Sequence, residues 1–152
     1  MKGLRLLAVA VMLSGLVSLV IGIVFIAQSV SVKAMVVEGL RAENVTTALP
    51  SEGEEGYFEG NVIDNASEAL AASEYLEGHL RDSYGTYGDT GRDSPERTQY
   101  LAGTTLRNSL NLAVSSFGVA TIALASGVVM ITTGLALGGA GFGLYRLSGR
   151  ML

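Results

Sequence analysis

Two stretches of this chain carry no charged side chain. One is Leu6 to Val32; the other is everything between Arg107 and Arg146. The hydrocarbon core of a bilayer is about 30 Å thick, and about twenty apolar residues in a helix suffice to cross it. Inside that core every backbone N–H and C=O must find its partner within the protein, and a helix does this within one segment. Each run therefore predicts a membrane-spanning helix, and the chain reads as an all-α membrane protein. For the first run the rival reading is a cleaved signal peptide. Lys2 and Arg5 supply a basic start, and Val32-Lys33-Ala34 weakly resembles a cleavage site. The apolar part of such a peptide is roughly 7–15 residues, however, and this run is far longer. An uncleaved anchor is expected.

Small residues recur at every seventh position in both runs: Ala8, Gly15, Gly22 and Ser29 in the first, and Ala113, Ala120, Gly127, Gly134 and Gly141 in the second. Seven residues are close to two helical turns, so each series lines one helix face. Small residues let two backbones approach closely in lipid, where packing rather than hydrophobic burial drives association. The expectation is an antiparallel, two-span helical hairpin with these nine residues as its helix-packing seam. The register follows: Ala8 beside Gly141, Gly15 beside Gly134, Gly22 beside Gly127, Ser29 beside Ala120, and Val36 beside Ala113. Each pair sums to the same number, as an antiparallel ladder requires.

The second run is too long for one simple span. Two spans within it would leave almost no turn, and would put Arg146 and Arg150 on the side opposite Lys2 and Arg5. The rule that short basic segments stay in the cytoplasm opposes that arrangement. One long helix is expected instead. Its start is marked by Ser94-Pro95, with Ser as N-cap and Pro in the first helical position. The predicted organisation is then a cytoplasmic N-terminus over 1–5 and a first span over 6–32 whose helix continues outward to about residue 48. An acidic outer segment covers 33–107. A second helix covers 108–145, its membrane part about 121–144, counted back from Arg146. A cytoplasmic C-terminus covers 146–152. The placement fits a plasma membrane or cell inner membrane. Tyr145 beside Arg146 suits an interfacial anchor.

All 14 acidic residues fall between Glu38 and Glu96. Pro50 and the Ser51–Gly60 stretch, acidic and glycine-rich, predict a helix stop and a loop. After it, Ala66, Leu70, Ser73, Leu76, Leu80 and Tyr84 recur at helical spacing. They predict an amphipathic helix over 64–83, capped by Asp64, with Leu70 and Leu76 on its buried stripe. Tyr84 to Arg92 reads as a turn.

Chemistry is sparse. His79 and Asp82 share a helix face, but two side chains fall short of the ligand set that a stable metal site needs. The carboxylates Glu52, Glu54, Glu55, Glu59, Asp89 and Asp93 show no pocket that would separate their pKa values, and the spacing of Asp82, Asp89 and Asp93 is not that of a calcium loop. Gly138 to Gly143 superficially resembles a phosphate-cradling loop. It lies in an apolar helix instead of following a strand, so close packing or a soft helix end is expected. Asn44-Val45-Thr46 and Asn65-Ala66-Ser67 match the N-glycosylation pattern. Cysteine is absent, which excludes disulfides and thiolate chemistry. The chain has no basic patch for nucleic acid. Neither span holds the ionisable residue that proton relays and ion-coupled transport place there.

The functional expectation is a non-catalytic integral membrane subunit with no cofactor and no metal. Its partners would be the lipid bilayer and either other membrane chains or further copies of itself, with an acidic helical ectodomain outside. The alternative is a homo-oligomeric pore, its path lined by Gln28, Ser126, Thr132 and Thr133. A membrane enzyme has no constellation of residues to support it.

Overall fold

The structure is a computed structural model and describes residues 2–46, 60 and 62–150. Within them are three helices: α1 (Lys2–Ala42), α2 (Ala66–Tyr84) and α3 (Pro95–Arg150). The described residues form no extended strand; Thr46 and Val62 make one isolated antiparallel bridge. At ~1.5 Å per residue, the 41 residues of α1 and the 56 of α3 each exceed the thickness of a bilayer core. Both are long and apolar enough to cross one. The chain divides into two compact units. The first comprises residues 1–31 and 120–152, and the second residues 32–119.

In the second unit the helix ends are set by local chemistry. α1 stops at Ala42, earlier than the expected 48, because Asn44 takes a left-handed conformation (φ 53°). Its N–H bonds Arg41 O, and the next N–H, of Val45, bonds Leu40 O. This pair of reverse bonds satisfies carbonyls that the helix end would leave orphaned, and Asn is one of the few non-glycine residues that tolerates the backbone angle. Val45 then packs against the cluster containing Leu40. The expected stop at Pro50, most of the acidic loop and Glu52, Glu54, Glu55 and Glu59 lie outside the described residues.

α2 begins at Ala66, with Asn65 and not Asp64 as its N-cap. The Asn65 side-chain oxygen accepts the Glu68 N–H at 3.0 Å, and the Glu68 carboxylate accepts the Asp64 N–H at 3.0 Å. At the other end Gly85 has φ 70° and donates to Arg81 O; a Cβ there would sit 2.8 Å from the Asp89 carboxylate. Glycine is therefore required. Thr86 donates to the same carboxylate through N–H and hydroxyl, and the backbone bond first, the hydroxyl second, hold Asp89 below the usual carboxylate range. Arg97 closes the turn by lying 4.4 Å over the Tyr87 ring and donating to the carbonyls of Tyr87 and Thr90. Ser94 caps α3 by accepting the Arg97 N–H. From Pro95 that helix runs unbroken through the glycine cluster, five residues beyond the expected end at 145.

The core of this unit joins Leu40 of α1, Ile63, Ala69 and Ala72 of α2, and Leu110, Ala113 and Phe117 of α3. Ser73 donates to Asn111 at 2.9 Å, and Glu77 pairs with Arg107 at 2.7 Å and with Arg81 at 3.0 Å. The buried face of α2 shares Ser73, Leu76 and Leu80 with the expected row, and Ala66 also packs on the core, but Leu70 lies outside it. Leu70 is 43% exposed, whereas Ala69, Ala72, Ser73 and Leu80 are buried. These four, with half-buried Leu76, recur at i, i+3, i+4, i+7 and i+11, which is one helical face. The reason is closeness of approach: alanines let the helix axis come near Leu110 and Phe117, and Leu80 seats over Gly103. The expected row, which included Leu70, is turned from this face by roughly 50°, about half the angle between successive residues.

Two substitutions separate these alternatives. Ala72→Asp buries an unpaired carboxylate and is expected to destabilise the docked α2 by at least about 2 kcal/mol. Leu70→Asp, on the solvent side, is expected to stay within about 0.5 kcal/mol. Limited proteolysis of the α2 region in detergent should show rapid cleavage for the first only. Equal sensitivity of the two would contradict the buried face described.

Candidate helix-packing interface

In the first unit the buried described residues are Ala8, Gly15, Gly22 and Ser29 of α1, and Ala120, Gly127, Gly134, Gly141 and Ser148 of α3. These are two rows of period seven. The unit contains eight of the nine seam residues expected from sequence. The ninth, Ala113, belongs to the other unit's core, where half-buried Val36 packs against the same cluster. Ser148 extends the α3 row by one more step, and the same seven-residue count would have reached it. Its hydroxyl donates back to Tyr145 O at 2.7 Å.

The distances give the register. A Cβ at Gly15 would lie 2.8 Å from Gly134 O, and one at Gly134 would lie 2.7 Å from Gly15 O. Gly22 and Gly127 stand in the same reciprocal relation, at 2.8 Å each way. A Cβ at Gly141 would meet Met12 N at 2.9 Å and Ala8 O at 3.0 Å. At the far end the Ser29 hydroxyl donates to Ala120 O at 2.7 Å, and between these contacts the Ser18 hydroxyl donates to Met130 O at 2.8 Å. Contacts under 3.0 Å to backbone atoms leave no room for a side chain, so these glycines are fixed by sterics. Ser18 lies outside the period-seven row, so the count missed it; what marks it is a hydroxyl in an apolar helix, which seeks a carbonyl when water is absent.

Large apolar side chains point the other way. Leu6, Leu13, Leu16, Val17, Ile23 and Val30 of α1 are exposed, as are Val119, Ile122, Val129, Leu135 and Phe142 of α3. Only 11% of the most apolar window of α1, and 17% of that of α3, is buried. A core helix of a water-soluble protein shows the opposite distribution.

The remaining residues singled out from sequence do not converge. His79 is exposed and stacks on Tyr75, with ring centroids 6.3 Å apart. No group of three His, Asp or Glu among the described residues is placed to hold a metal. Within the glycine cluster Gly141 is in close contact, whereas a Cβ at Gly138, Gly139 or Gly143 would meet nothing within 4 Å. Gln28, Thr132 and Thr133 are exposed and Ser126 is half-buried. Thr132 donates back to Val129 O. Ser126 and Thr133 share one face of α3, and Thr132 lies one residue, ~100°, away from it. In the two glycosylation patterns, Asn44 forms the α1 cap, and Asn65 caps α2 while accepting the Ser67 hydroxyl at 2.7 Å. Comparison with protein-family models, with curated proteins and with solved structures finds no match.

Seam sterics make a direct test. Gly127→Leu is expected to separate the two helices at a cost of about 1–3 kcal/mol, while Val128→Leu, one position away on the exposed face, is expected to be nearly neutral. Ser29→Ala, which removes one hydrogen bond and little volume, is expected to cost about 1 kcal/mol. Unfolding followed in detergent checks the ranking. A Gly22→Cys/Gly127→Cys pair should oxidise to a disulfide within one chain, since Cα atoms within about 7 Å can be bridged. Failure of this pair while a pair on the exposed faces links would disprove the register.

Proposed function

We propose that the chain is a non-catalytic integral membrane subunit. In this reading α1 and α3 cross the bilayer as an antiparallel hairpin packed along the glycine seam, and residues 33–107 present an acidic helical ectodomain. The observation that carries it is the inverted burial of the first unit. Glycine, alanine and serine lie inside, while leucine, isoleucine, valine and phenylalanine face outward along both helices. In water that surface would expose far more contiguous apolar area than soluble monomers do. In lipid it is the expected arrangement, because lipid tails are as apolar as leucine and only close packing distinguishes one helix face from another.

The orientation follows from charge. Lys2, Arg5, Arg146 and Arg150 flank the two spans at one end, and short basic segments favour the cytoplasmic side for that end. Residues 33–107 hold six Lys or Arg against fourteen Asp or Glu, a net of −8, and face outward. The subunit role rests on the chemistry of the described residues. The hydrogen-bonded polar side chains serve caps, turns and helix contacts, and the outward apolar faces are suited to lipid and to helices of other chains.

Two measurements test this reading. Gly78 and Gly149 each have open space where a side chain would begin, so cysteine fits at both. In sealed cells an impermeant thiol reagent should label Gly78→Cys and leave Gly149→Cys unlabelled; equal labelling would overturn the two-span topology. Gentle detergent extraction followed by native mass measurement tests the subunit role. Co-purification of different membrane chains in fixed ratio is the expected result. A ring containing this chain alone, together with ion flux after reconstitution into liposomes, would replace the subunit reading with a pore.

A further inference from the structure

We draw no further inference here: the strongest candidate, the open apolar groove of about 840 Å³ between the last turns of α1 with the residues that follow it (Met35 to Val45) and the α3 stretch from Ala102 to Ser116, is an unpartnered helix face and nothing in the structure shows what covers it.

Discussion

The contact between bare backbones at Gly15–Gly134 and Gly22–Gly127 is the constraint on which the first unit depends. In each pair the hydrogen that stands in place of a Cβ points at the carbonyl oxygen of the opposite helix. Weak Cα–H···O contacts of this kind contribute perhaps 0.5–1 kcal/mol each, and close approach adds dispersion along the whole seam. Glycine in a helix interior gives up about 1 kcal/mol relative to alanine. The packing gain must offset that loss at every seam glycine. The serine bonds at Ser18 and Ser29 fix the axial position that dispersion alone leaves loosely defined.

The second unit is held together by an apolar core of larger side chains. Its core is built from Ile63, Leu110 and Phe117 with alanines beside them, and its edges are tied by Ser73–Asn111 and by the Glu77 pairs with Arg107 and Arg81. The two ion pairs are partly exposed, so their value lies in orienting α2 more than in stabilising it. Here small residues work with large ones: Ala69 and Ala72 let α2 approach closely enough for Leu80 to reach Gly103. The same residue types thus serve apolar burial in one unit and backbone contact in the other.

How much of this was legible in the sequence differs by feature. The helical class and the two long apolar helices follow from the uncharged runs, because length and charge act directly. The rows of small residues were visible as a period of seven, and Ser148 was within reach of the same count. The α1 end was not legible: Pro50 is a strong helix breaker, but Asn44 adopts a left-handed backbone earlier, and only the two reverse hydrogen bonds reveal it. The choice of Asn65 over Asp64 as cap likewise depends on which side chain reaches the Glu68 N–H. Helical spacing gives Ser73, Leu76 and Leu80 on the buried face of α2 but also admits Leu70, which is exposed because the small Ala69 and Ala72 set the closest approach. Ser18 shows the limit of period counting, because a hydrogen bond can fall between steps of the repeat.

The reciprocal geometry of the seam has an evolutionary consequence. A side chain added at Gly22 collides with Gly127 O and Ile131, while one added at Gly127 collides with Gly22 O and Ile26. No change at one member makes room for growth at the other, so compensating pairs of substitutions are closed to these positions. The outward residues touch no opposing backbone and are free to drift among leucine, isoleucine, valine and phenylalanine. Divergence in such a chain would erase identity first on the outward faces while preserving the seam, leaving a rhythm of small side chains as the part of the ancestry that outlasts the rest.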